Sequence, residues 1–288
     1  MYRRLREAIA SGRLHGDSPF ITDPAPPESA AAVLRREHGT CVFFDRGTYR
    51  CRVHHGMGED GLPSTCRLFP RIALNDRRGT FITLSHYCPT AASMLFRDDV
   101  PLQIVEGPDA FPPGDYEGLT ARDEWPPLLH PRTLMDLDAY GAWERHAVSV
   151  LASSAATPEC ALATLARDAE LLRSWRPGGA SLVEAVAGLP RDTVDRGTAG
   201  DLSEAARHHA LAADCAPACG LGAIGAGEDR HAANPADLNR AYREQVRAAW
   251  PAFGAPLTRY LAAHAFANWC AYQGLGVRTF VRSLEVTL

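Results

Sequence analysis

The chain has no lysine; all 30 of its basic residues are arginine. A lysine Schiff base or a lysine nucleophile is therefore excluded from any chemistry it performs. No stretch approaches the roughly 18 consecutive apolar residues of a membrane-spanning helix. The N-terminal MYRRLREAIASGRLHGD begins basic, but no apolar core of a secretory leader follows it. These absences predict a cytoplasmic protein with no membrane partner. A net charge of -4 leaves no basic footprint for nucleic acid. HExxH, GxSxG and P-loop patterns are absent, as are internal repeats and low-complexity tracts. What remains is an ordinary globular composition, 46% hydrophobic and 22% charged over 288 residues. That length suits one large or two modest domains.

Against this background the cysteines stand out. Cytosolic thiols stay reduced, so clustered cysteines there point to metal binding or catalysis rather than disulfides. Cys41, Cys51, Cys66 and Cys88 are separated by 9, 14 and 21 residues. None of these gaps is the tight CxxC of a zinc ribbon. Each Cys does sit beside a turn or at the end of a short apolar run, where a cross-link stabilises most. A tetrahedral zinc site and a four-thiolate iron–sulfur site both require four soft sulfur donors. His54, His55 and His86 lie near enough in sequence to be ligands or their hydrogen-bond partners. Arg67 and Arg71, flanking Phe69-Pro70, could hold a carboxylate or balance thiolate charge, or form surface ion pairs. Cys215 and Cys219, with His208 and His209 nearby, form a weaker second pair. Cys160 and Cys270 fall on helical patterns and are expected as core thiols. Gly220 to Gly225 spells GxGxxG without the preceding strand that gives the motif its function, so a loop is expected.

The apolar pattern predicts an α+β, mainly α fold. Residues 1–105 would form a small cysteine-rich metal module, 106–130 a Pro/Gly-rich linker, and 131–288 an all-α domain. Within the module, a hairpin is expected from Cys41–Phe44 across Asp45–Gly47 to Tyr49–Val53. A second is expected from Pro70–Leu74 across Asn75–Gly79 to Phe81–Leu84. Pro89–Phe96 opens like a helix with Pro in its first turn. Helices are predicted over Arg132–Ser153, from Thr157 to Trp175, and over Ser181–Ala187, Leu202–Ala213, Leu238–Trp250, Pro256–Tyr272 and Val277–Leu288.

The residues around the four cysteines resemble a known family. The order is Gly39-Thr-Cys41-Val-Phe-Phe-Asp45, Tyr49-Arg-Cys51-Arg-Val-His54, Gly58-Glu59, Cys66-Arg-Leu-Phe69-Pro70-Arg71, then Ser85-His-Tyr-Cys88-Pro89-Thr-Ala91-Ala92. It is similar to that of the YkgJ-type cysteine-cluster proteins, a zinc- or iron-chelating family, and to the longer form represented by flagellin lysine-N-methylase. The resemblance covers residues 38–96 and extends weakly to Leu137–Glu144 and Leu257–Leu261. It implies Cys41, Cys51, Cys66 and Cys88 as ligands of zinc, iron or a 4Fe-4S cluster. It further implies S-adenosylmethionine as a methyl donor and a protein substrate such as flagellin. Glu59 and Asp60 are candidate acids for deprotonating a target lysine. Family members carry a further CxxCxxCC-like run upstream; no Cys precedes Cys41 in this sequence. The alternative expectation is a module without catalysis, either a zinc/iron chelator or a zinc-stapled interaction domain.

Overall fold

Local chemistry explains most of the short elements. Asp45 Oδ1 accepts hydrogen bonds from the backbone N–H of Gly47 (2.8 Å) and Thr48 (3.1 Å). This side-chain turn joins strand β5 (Phe44–Asp45) to strand β6 (Arg50–Cys51), with Tyr49 at φ +56°. The computed structural model describes residues 2–15, 19–21, 32–37, 39–97, 99, 102–107, 116–153, 157–194, 244, 247–274 and 276–287. The chain is mixed α and β, mainly α. Cys215, Cys219, His208, His209, the glycine motif at 220–225 and the expected helix at 202–213 lie outside the described residues.

The chain divides into two compact units, Met1–Phe69 and Pro70–Leu288. The first begins with helix α1 (Tyr2–Ala10). Three two-residue antiparallel pairs follow. They are β1 (Phe20–Ile21) with β2 (Val33–Leu34), β3 (Arg36–Glu37) with β4 (Thr40–Cys41), and β5 with β6. Helix α2 (Arg52–Met57), a 3-10 turn at Glu59–Gly61 and helix α3 (Ser64–Leu68) complete it. Its core is small: Leu5, Ala8, Leu14, Phe43 and Val53 are buried, with Cys41 and Cys51 packed against them. The expected first hairpin exists, but it starts at Phe44. Cys41 instead pairs with Arg36 in a ladder of its own.

The second unit opens with the expected second hairpin, β7 (Arg71–Asp76) and β8 (Gly79–Leu84), in register from Arg71↔Leu84 to Asp76↔Gly79. Helix α4 (Pro89–Met94) follows. Part of the Pro/Gly-rich stretch is structured. Strand β9 (Leu119–Thr120) lies parallel to β7, and Asn75 Nδ2 donates to Tyr116 O at 3.1 Å. A Cβ at Gly118 would stand 2.3 Å from Ala73 O, so only glycine permits this approach. Strands β10 (Leu128–His130) and β11 (Thr133–Leu134) then pair before any helix starts. The expected all-α region therefore opens with a hairpin. Asp136, whose side chain accepts from Ala139 N–H, sets the true helix start.

Helices α5 (Leu137–Leu151), α6 (Pro158–Arg173) and α7 (Leu182–Ala187) start where a cap dictates. Thr157 precedes Pro158, and Ser181 with Glu184 forms a reciprocal capping box. Helix α8 (Arg247–Ala265) runs through both Pro251 and Pro256, where the sequence pattern suggested a break. An internal proline costs a helix about 3 kcal/mol; burial of Leu261, Ala262 and Ala265 against the core opposes that cost. A 3-10 turn (Trp269–Gln273) and helix α9 (Val277–Thr287) close the unit. Trp143, Leu151, Leu165, Leu172, Leu261 and Leu284 form the centre of one continuous core.

Candidate metal centre

Three successive turns of the first unit carry the first three cysteines. Cys41 ends β4. Cys51 ends β6 and caps α2, where its backbone turns from extended to helical. Cys66 lies in α3, its N–H donating to Pro63 O at 2.9 Å. The residue Cys66 is open to solvent, yet its sulfur is crowded. Partial desolvation first, then the neighbouring Cys41 and Cys51 sulfurs, push its thiol above the ordinary range. The Cys66 sulfur thus lies within electrostatic reach of Cys41 and of Cys51. Like-charged thiolates resist forming together, and a bound cation reverses that balance.

Cys88 belongs to the second unit, at the cap of α4. Backbone N–H groups of Ala91 and Thr90 hold its thiol below the ordinary range, as a helix start does for a developing thiolate. All six described cysteines are free thiols. Among the described residues no group of three or more His, Cys, Asp or Glu is already arranged around a common ion position. Thiolate sulfur is a donor that suits zinc or an iron–sulfur cluster.

The other candidate residues are dispersed. His54 and His55 lie exposed on the last turn of α2, and Glu59 and Asp60 are exposed in the following turn. Arg67 and Arg71 are exposed, and each has an interaction partner. Cys270, expected in the core, is exposed, and Cys160 is half-buried. Each lies on the outer side of its element, which the apolar neighbours in sequence do not reveal. His86 faces α8, where its ring meets Tyr260 at 5.2 Å and His264 at 6.3 Å between centroids.

Sequence reasoning missed a buried polar network in the second unit. Asp76 accepts from Arg78 Nη2 (2.7 Å), Arg78 Nε (3.0 Å) and the Tyr272 hydroxyl. Arg78 Nη1 reaches Glu144 Oε2 at 3.1 Å, and Glu144 Oε1 accepts from Ala267 N–H at 3.1 Å. The guanidinium lies over the Phe81 and Tyr140 rings, 4.4 and 4.7 Å from their centroids. Burial disfavours ionisation of Asp76, but hydrogen bonds from Arg78 and Tyr272 outweigh it and hold the carboxyl below its usual range. Glu144 goes the other way: burial pushes it up, and Arg78 only partly compensates. The space beside Asp76 and Tyr272 is too small for a water molecule. This network joins the β7–β8 hairpin to α5 and the 3-10 turn. The Asp76-x-Arg78 pair at the hairpin turn is its visible trace in the sequence. His146, bonded to buried Asp168 at 2.8 Å, is likewise fully engaged.

No family model, curated protein or solved structure matches this chain.

Proposed function

We propose that this chain is a cysteine-cluster protein that binds a metal ion or an iron–sulfur cluster. The observation that carries the reading is the motif order around Cys41, Cys51 and Cys66 in the sequence, supported by the electrostatic reach of Cys66 to the other two sulfurs. The same sequence motif includes Cys88, which belongs to the other unit. When bound, zinc would cross-link the turns that carry these residues; a cluster would add redox chemistry. Binding also supplies folding energy, because ligand thiolates and metal assemble together. Anaerobic purification, elemental analysis and a visible spectrum test this. Zinc leaves the protein colourless, and an iron–sulfur cluster colours it brown. Cys66→Ser is expected to remove most of the bound metal. A folded, metal-free protein from the same preparation would refute the reading.

A second reading, favoured by the Cys66-Arg-Leu-Phe-Pro-Arg71 and Ser85-x-x-Cys88-Pro89-x-Ala-Ala elements, is a protein-lysine N-methylase-like transferase using S-adenosylmethionine. Flagellin is the representative substrate, and Glu59 and Asp60 are the acids on hand to take the lysine proton. Methyl transfer from labelled donor to flagellin by the metal-loaded chain is the assay. Absence of transfer with a fully loaded site rejects this reading and leaves the non-catalytic chelator or zinc-stapled module.

A further inference from the structure

A second cluster of metal-type donors lies wholly within the second unit and uses no sulfur. Tyr260 and His264 are one helical turn apart on α8 and share a face. Their rings meet edge to face with centroids 4.3 Å apart. The turn after β8 places His86 against both, 5.2 Å from Tyr260 and 6.3 Å from His264, with the two imidazole planes tilted by 35°. That turn is anchored to α8 on both sides. Before it, the Thr83 hydroxyl donates to Ala263 O at 3.3 Å; after it, Arg259 Nη1 donates to Leu95 O at 2.9 Å. The juxtaposition is therefore built into the packing of hairpin, α4 and α8.

The other described histidines of this unit are engaged. His146 is bonded to Asp168, and His130 Nδ1 lies 3.0 Å from Pro131 O. Among the described residues, neither the His86 nor the His264 imidazole has a hydrogen-bond partner, although His264 is open to solvent and His86 is half-buried. We propose that His86 and His264 form a site for one divalent transition-metal ion of the imidazole-preferring class, such as Co²⁺, Ni²⁺ or Zn²⁺, with water completing its coordination. The span fits. A metal bonded at about 2.0–2.1 Å to one nitrogen of each ring stands roughly 3.2 Å from each centroid, so one ion bridges centroids up to about 6.4 Å apart. The observed 6.3 Å meets that limit for a nearly linear nitrogen–metal–nitrogen angle. A tetrahedral angle needs the centroids about 5 Å apart, so the exposed His264 side chain must swing roughly 1 Å toward His86 on binding. The Tyr260 ring packs edge to face against His264 and beside His86.

The test is an anaerobic Co²⁺ titration of the full chain, read as stoichiometry together with the absorption spectrum. Thiolate-bound Co²⁺ shows intense sulfur-to-metal charge transfer, whereas imidazole-bound Co²⁺ shows only weak ligand-field bands. The expected result is one Co²⁺ bound without charge transfer, in addition to any Co²⁺ that the cysteine centre takes with it. His264→Gln and His86→Gln should each weaken it by at least about tenfold, the scale on which even a ligand's supporting partner matters. Tyr260→Phe should retain it. Because His264 is exposed, its variant is expected to melt as the parent does without metal. Unchanged weak-band Co²⁺ binding in His264→Gln overturns the proposal. Loss of the charge-transfer signal alone would count against the cysteine centre and leave the histidine site standing.

Discussion

The two units achieve stability by different means. Among the described residues of Met1–Phe69, the apolar cluster is Leu5, Ala8, Leu14, Phe43 and Val53, beside two-residue ladders. A core of that size barely offsets the conformational entropy of ordering the chain, and small units of this kind rely on staples. Pro70–Leu288 has a continuous core through Trp143, Leu165, Leu261 and Leu284, plus a buried network in which every charge has a partner. Cys41, Cys51 and Cys66 belong to the unit whose described core is the smaller. The other unit uses a six-residue β-ladder, long helices and aromatic packing. If the first unit binds metal as proposed, ligation would be a folding requirement there.

The largest expected effect breaks the first unit alone. Structural zinc in small modules contributes about 10–16 kcal/mol in apparent terms. Chelation should therefore expose Met1–Phe69 to protease while Pro70–Leu288 stays resistant, as mapped by mass spectrometry of the fragments. Equal protection of both units after complete metal removal would erase the contrast. Next in size is Trp143→Ala. Trp143 is 2% exposed at the heart of the second unit, and truncating a buried aromatic of this kind costs about 3–5 kcal/mol. Denaturant unfolding should show that loss, with metal content per chain unchanged in the folded protein.

The smallest expected effect concerns pH. Glu144 is raised in the folded state, so its contribution is present below the ordinary carboxylate range and is lost as pH rises through the raised folded value. Asp76 is lowered, so its contribution is present above that range and is lost as pH falls through the lowered folded value. Denaturation midpoints across pH should therefore decline for the parent on the alkaline side of the ordinary glutamate range. Glu144→Gln, which cannot ionise, should flatten that decline and leave the acid limb intact. An unchanged profile would show that Glu144 does not titrate as this geometry requires.

Much of the local architecture was legible. The β7–β8 hairpin follows from alternating residues around Asn75–Gly79, α6 from Thr157-Pro158-Glu159, and α7 from Ser181 and Glu184. These elements depend on interactions within a few residues. The pairing of β9 with β7 was not legible, because a Pro/Gly-rich composition suggests a linker and only the close approach at Gly118 makes a strand there. The passage of α8 through Pro251 and Pro256 was hidden for a related reason: local propensity opposes it, and core packing prevails.

The sequence by itself determined the candidate ligands, because the motif order around Cys41, Cys51, Cys66 and Cys88 is a property of the chain alone. It also determined the hairpin turns and helix caps, whose hydrogen bonds span three residues or fewer. Tertiary structure decided which distant groups meet. It set Cys66 within electrostatic reach of Cys41 and Cys51, joined Asp76 to Glu144 through Arg78, and set His86 against His264. Such contacts between distant residues depend on how hairpin and helix pack, and a one-dimensional pattern encodes that only through the whole core.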